Sequence, residues 1–212
     1  MKRTVVTGMA LLAVLAGCEA GLVPPTAAPT PTATASPVAS PSVTTATSPA
    51  PTAPEPTVGL VPFDCALPVS MPATVNRAQI TDVRVGNHGA GSSGYDRIVF
   101  EFQRTGIPEV TLGAGTPPFT HDPSGLQLPV QGSSFLVLVL HGATAITPEG
   151  KMTYTGLTDF KPGFPSLTEF TQAGDFEAVS EWVAGLTGPS CHRVFVLQNP
   201  SRLVIDLQHP HG

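Results

Sequence analysis

Two segments of this 212-residue chain carry the same six-residue alternation, and only an extended strand can use it. Arg97-Ile98-Val99-Phe100-Glu101-Phe102 and Arg202-Leu203-Val204-Ile205-Asp206-Leu207 both read Arg, aliphatic, Val, apolar, acid, apolar. On a strand, the Arg, the Val and the acid share one face, and three bulky apolar residues share the other. A helix would scatter both sets around its circumference. The repeat predicts a pseudo-symmetric fold built from two halves. If the two strands are antiparallel neighbours, Arg97 faces Asp206 and Glu101 faces Arg202.

Other segments extend the same pattern. The run Tyr95-Asp96 continues the first copy, placing Asp96 with Ile98 and Phe100 on the apolar face. Residues 135–140, Phe-Leu-Val-Leu-Val-Leu, are apolar on both faces and suit a strand covered on both sides. Residues 79–85, 168–173, 192–197 and 202–207 add further strand candidates. Clusters of Gly, Pro, Asn and Asp at 86–94, 113–118, 122–125 and 147–150 separate them as turns. Many short strands at this spacing predict an all-β sandwich or barrel of antiparallel sheet. Residues 176–186 are ambiguous. Phe176, Val179, Val183 and Leu186 fit helical spacing with Asp175 as a cap, whereas the flanking glycines and Trp182-Val183 fit a strand, which the sequence favours.

The folded domain is expected at 59–212, because the residues before it are of a different kind. Residues 1–18 begin with Lys2 and Arg3, continue through the uncharged stretch 5–14, and end in Leu15-Ala16-Gly17-Cys18. That is a secretory signal whose cleavage site leads into a cysteine, and it resembles the bacterial lipobox in which Cys18 is lipidated. An apolar run of about a dozen residues is well short of the roughly 20 that span a bilayer as a helix. The expected location is the outer face of the cytoplasmic membrane, held by lipid, with the domain in the cell wall or periplasmic space. Residues 19–58 contain 10 Pro, 9 Thr, 9 Ala and 4 Ser, with no aromatic residue. Proline removes backbone donors, so this stretch reads as a disordered tether with polyproline II character. At about 3.1 Å per residue its upper reach is on the order of 120 Å.

Charge and cysteines narrow the partners. Residues 59–212 hold 8 Lys plus Arg against 13 Asp plus Glu, a net charge of 8 − 13 = −5, without a basic cluster. That argues against nucleic acid as a partner. With Cys18 lipidated, Cys65 and Cys191 remain as a pair in an oxidising compartment, which predicts one structural disulfide.

The residues of the two repeated strands also carry a family resemblance. The run 197–207, Leu-Gln-Asn-Pro-Ser-Arg-Leu-Val-Ile-Asp-Leu, resembles the closing strand motif of AMIN domains, and 95–102 resembles their other Arg-Val-acid strand. Gly174-Asp175-Phe176-Glu177 through Trp182-Val183-Ala184-Gly185-Leu186 is similar to the AMIN-like domains of lipoproteins from high-GC Gram-positive bacteria. The resemblance covers roughly residues 78–209. It implies a small β-sandwich of two related sheets in an envelope protein that targets or binds peptidoglycan.

The remaining candidates for chemistry are weak by spacing. The six histidines (88, 121, 141, 192, 209 and 211) show no paired metal-ligand spacing, so neither a metal nor a cofactor is implied. His209 and His211 read as a solvated tail. Ser92 and Ser93 do not form a nucleophile elbow. Asp96 with Glu101, or Asp175 with Glu177, can be written as a carboxylate pair, but surface charges beside turns explain them more simply. Arg97 and Arg202 are candidates for recognising carboxylates or sugar hydroxyls, with cross-strand ion pairing as the favoured alternative. Tyr154 and Trp182 are candidates for stacking on sugar rings, against a core role for Trp182. The sequence therefore favours a lipid-anchored, non-enzymatic envelope module that docks on peptidoglycan or an envelope protein. The alternatives are an envelope enzyme with an unrecognised carboxylate or His site, and a structural or assembly lipoprotein.

Overall fold

The computed structural model describes residues 61–211. The lipobox with Cys18 and the stretch 19–58 lie outside the described residues. Within them, thirteen strands follow one another: β1 (Val69–Met71), β2 (Ala78–His88), β3 (Tyr95–Phe102), β4 (Glu109–Ala114), β5 (Phe119–His121), β6 (Leu126–Leu128), β7 (Ser134–His141), β8 (Ala143–Thr144), β9 (Asp159–Phe160), β10 (Leu167–Phe176), β11 (Val179–Leu186), β12 (His192–Leu197) and β13 (Arg202–Gln208).

Two sheets face each other. One has six strands in the order β1-β4-β7-β11-β10-β9, the other five in the order β12-β13-β3-β2-β8, and β5-β6 form a separate ribbon. All pairings are antiparallel except a two-residue parallel ladder of β2 with β8. The core lies between the sheets. Ile98, Phe100 and Phe102 of β3 and Leu203, Ile205 and Leu207 of β13 meet Leu136, Leu138 and Leu140 of β7 and Trp182 of β11. These are the apolar faces expected from the alternation. The expected all-β sandwich is therefore present.

The repeated strands are neighbours. Arg97 pairs with Asp206, Val99 with Val204 and Glu101 with Arg202, in the expected register. Val99 and Val204 occupy equivalent positions in the two copies, so a local two-fold runs through that pair. It relates the hairpin β2-β3 to the hairpin β12-β13.

Residues 135–140 are apolar on both faces because both are covered. Leu136, Leu138 and Leu140 enter the main core. Phe135 and Val137 lie on the other side beneath Phe119 and Leu128 of the β5-β6 ribbon. Residues 176–186 form no helix. β10 turns into β11 through Glu177 and Ala178, whose φ values of 51° and 62° give the two-residue turn that matches strand twist. Val183 is buried under the ribbon while Trp182, Ala184 and Leu186 face the core. Apolar residues on both faces imitated a helical spacing.

Cys65 and Cys191 form the expected disulfide across 126 residues. Beside it, Asp64 and His192 exchange two backbone hydrogen bonds of 2.8 Å, so residues 61–66 are held against the edge of β12. Closing so long a loop contributes about 4–5 kcal/mol in the chain-entropy picture.

His192, next to that disulfide, is 1% exposed. Burial pushes its imidazole pKa down, against the pull of Asp64 and of the nearby Ala66 and Ser190 backbone. A depressed pKa means that the unfolded chain binds the proton more readily. The contribution to stability is present above the unfolded value of about 6.5 and falls as pH drops below it. We expect the urea midpoint to fall between about pH 7.5 and 5.5, and His192→Phe to flatten that fall. Glu181, whose carboxyl pKa burial and Asp122 raise, has the opposite slope, but it acts equally in both proteins. An unchanged slope in the variant would assign the dependence elsewhere.

Candidate binding face on the five-stranded sheet

The outward residues of β3 and β13 converge on one carboxylate. Asp206 is fully buried, and it accepts from Arg97 Nε at 2.7 Å, Arg97 Nη2 at 3.0 Å and Arg193 Nε at 2.6 Å. The register dictates this: β3 brings Arg97 to Asp206 from one side, and β12 brings Arg193 from the other. The related end of the face holds Glu101, with Arg84 Nη1 at 3.6 Å and Arg202 opposite in register. Each half thus sets an acid of the central strands beside arginines, as its two-fold demands.

Aromatic rings interleave with the guanidinium groups. Arg193 lies over Phe63 at 4.5 Å and over Tyr95 at 4.7 Å, and Arg97 over Tyr95 at 5.1 Å and Phe195 at 5.6 Å. His88 stacks on Tyr95, with ring centroids 5.0 Å apart. The arginines and the rings together bury Val204 and Val99 on this outer side. Tyr95, Phe63 and Phe195 remain half-buried. Arg97 and Arg193 are only 8% and 7% exposed, so the ion pairs hold the sheet while the half-buried rings reach the surface.

A second buried carboxylate marks one end of the sandwich. Asp96 is fully buried. Its Oδ2 accepts from the backbone N–H groups of Ser166 at 2.7 Å and Leu167 at 2.9 Å. Its Oδ1 accepts from Asn87 Nδ2 at 2.8 Å and lies 3.0 Å from His209 Nε2. This corrects two expectations. Asp96 is not a surface charge, and His209 is not in a solvated tail but 4% exposed. The alternation puts Asp96 and Glu101 on opposite faces, so they do not form a pair. A Cβ at Gly94 would collide with the His209 imidazole, so that seat requires glycine. Asp175 uses Oδ2 to accept from the Ala145 N–H at 2.7 Å, as a loop clamp.

The aromatic residues considered for sugar stacking lie inside. Trp182 is fully buried, stacked on Phe170 at 4.9 Å and edge-on to Phe100 at 5.4 Å, with its Nε1–H donated to Ser180. Tyr154 is 7% exposed and donates its hydroxyl to the Leu157 carbonyl at 2.6 Å. Burial, and then Asp82, pushes its phenol pKa up. Neither offers a ring face to a ligand. Arg97 and Arg202 do lie together on the outer face. Sequence reasoning missed Arg193, Phe63 and Phe195. The signal was present in the alternation of 192–197, since Arg193 and Phe195 must share a face, but only the pairing shows that the face is this one. Among the described residues, no group of three or more His, Cys, Asp or Glu is placed to hold a metal ion.

The Asn-Pro-Ser turn that precedes β13 has its own explanation. Asn199 takes φ 60°, which asparagine tolerates. Ser201 is 2% exposed; its Oγ accepts from the Gly106 N–H at 2.9 Å, and its carbonyl accepts from the Phe102 N–H at 2.9 Å. The motif locks the β12-β13 turn to the end of β3.

Comparison with curated proteins and with solved structures found no match. The sequence profile described as AMIN-like domain matches residues 78–209, which spans β2 to just beyond β13 and takes in both repeated hairpins. With that match over more than half of its length, the chain belongs to the AMIN-like domain family.

Proposed function

We propose that this protein is a lipid-anchored cell-envelope binding module that docks on peptidoglycan without chemistry of its own. AMIN domains are extracytoplasmic, and AMIN-like domains typically bind rather than catalyse, which supports the coarse part of this reading. The observation that carries the finer part is the outer face of the five-stranded sheet. Its half-buried rings of Tyr95, Phe63 and Phe195, propped from within by Arg97 and Arg193, reach the surface as an aromatic group able to pack against sugar rings. The lipobox at Cys18 and the tether at 19–58 would keep this face within about 120 Å of the membrane.

The test is sedimentation of the full-length protein, in detergent, with purified sacculi. We expect the wild type to sediment, and Tyr95→Ala and Phe195→Ala to bind about 2- to 10-fold more weakly, the worth of one aromatic contact. Arg202→Ala probes the other end of the same face. Failure of the wild type to sediment would remove peptidoglycan as the partner.

A further inference from the structure

Arg77 and Arg104 stand out because Arg84, Arg97 and Arg193 of the five-stranded sheet are engaged with acids. Arg84 pairs with Asp82 at 2.5 Å, and Arg97 and Arg193 both hold Asp206. Arg77 and Arg104 have no ion-pair partner among the described residues, and both are exposed. They flank the open end of the β2-β3 hairpin, Arg77 just before β2 and Arg104 just after β3. Gln103 N–H donates to the Gln79 carbonyl at 2.9 Å there, which holds the two strand ends together. Both arginines line a groove of about 380 Å³ with Gln79, Gln103, Thr147 and Glu149.

The third wall of this groove is built. β8 pairs in parallel with β2, and the chain after it turns back through a bridge between Ile146 and Met152. Thr147 N–H donates to the Lys151 carbonyl at 2.8 Å, and Thr147 Oγ1 accepts from the Lys151 N–H at 3.2 Å. Thr153 Oγ1 donates to the Ile80 carbonyl at 2.7 Å, so the loop is pinned against β2. Two guanidinium groups against one carboxylate leave the groove at +1, in a domain whose net charge is −5. Each guanidinium has a planar fork that matches a carboxylate, and the two glutamine amides both donate and accept, as a peptide backbone does.

We infer that this groove binds a peptide bearing a free carboxylate. The arginines take the carboxylate, while Gln79 and Gln103 take the flanking amide. The inference rests on the reading of the protein as an envelope binding module, but not on the ring face of the five-stranded sheet. Glu149, on the loop side, repels the ligand's charge and sets its direction in the groove.

The experiment is a titration of the full-length protein in detergent, followed through the side-chain amide signals of Gln79 and Gln103. The probes are N-acetyl-dialanine with a free carboxylate, its C-terminal amide, and inorganic phosphate. We expect saturable shifts with the free carboxylate and at least about tenfold weaker binding of the amide. Arg77→Gln and Arg104→Gln should each weaken the carboxylate probe by at least about tenfold, and Glu149→Gln should tighten it. Unmoved glutamine signals would overturn the site. Equal binding of acid and amide would overturn carboxylate recognition, and tighter binding of phosphate would overturn the peptide assignment. Dipeptide binding without sacculus sedimentation would sink only the wall-docking proposal. Sedimentation without dipeptide binding would sink only this one.

Discussion

Asp206→Asn is expected to destabilise the domain by about 3–5 kcal/mol, because it leaves two buried guanidinium groups facing an uncharged amide. The carboxylate is fully buried and takes three charged hydrogen bonds of 2.6–3.0 Å from Arg97 and Arg193. Asparagine presents N–H donors where arginine donors already point, so at least one contact becomes repulsive. The loss should appear in thermal melts as a drop on the order of 10 °C. The charge count makes a sharper comparison. Within this cluster, two arginines and one acid leave one positive charge; removing the Asp206 charge leaves two, and removing Arg193 leaves none. Arg193→Met should therefore cost less than Asp206→Asn. Replacing all three charged residues by apolar ones should recover much of the loss. A cost below about 1 kcal/mol for Asp206→Asn would show that solvent satisfies the arginines.

Asp96→Ala is the second large effect, expected at about 4 kcal/mol from four lost acceptor contacts, each typically worth about a kilocalorie or more with a charged acceptor. Asp96 joins the two sheets, since it sits on β3 yet takes the N–H groups of Ser166 and Leu167 at the start of β10. The variant orphans those two amides and leaves Asn87 Nδ2 with only its 3.2 Å contact to His209 Nε2. Hydrogen exchange at Ser166 and Leu167 should rise well beyond the change at the centre of β13, because the damage begins at that end. Equal loosening everywhere would show that Asp96 contributes only to global stability.

These two carboxylates show how far the sequence could be read. Both stand in visible strand patterns, and the alternation alone placed Asp206 outward and Asp96 inward. The register Arg97 to Asp206 was legible on the condition that the two repeated strands are antiparallel neighbours, and the sheet order meets that condition. The disulfide followed from counting cysteines. By contrast, an inward acid at a strand end looks in sequence like a surface charge beside a turn. What rescues Asp96 from that reading is two backbone N–H groups seventy residues away, and no local pattern announces them. His209 was misread for the same reason: its partner, Asp96, is 113 residues distant.

The candidate faces divide similarly. Arg97 and Arg202 were legible as a pair, but Arg193, Phe63 and Phe195 joined them only once β12 and the segment held by Cys65 were laid beside β13. The groove of Arg77 and Arg104 was not legible at all, since it needs β8 to bring the 147–151 loop against β2. Sequence by itself determined what each strand must do with its two faces, because side-chain alternation is a local property of extended backbone. Only the tertiary structure decided which charges meet and which are left to a ligand. Those contacts depend on strand order and loop path, and they join residues that period two cannot connect.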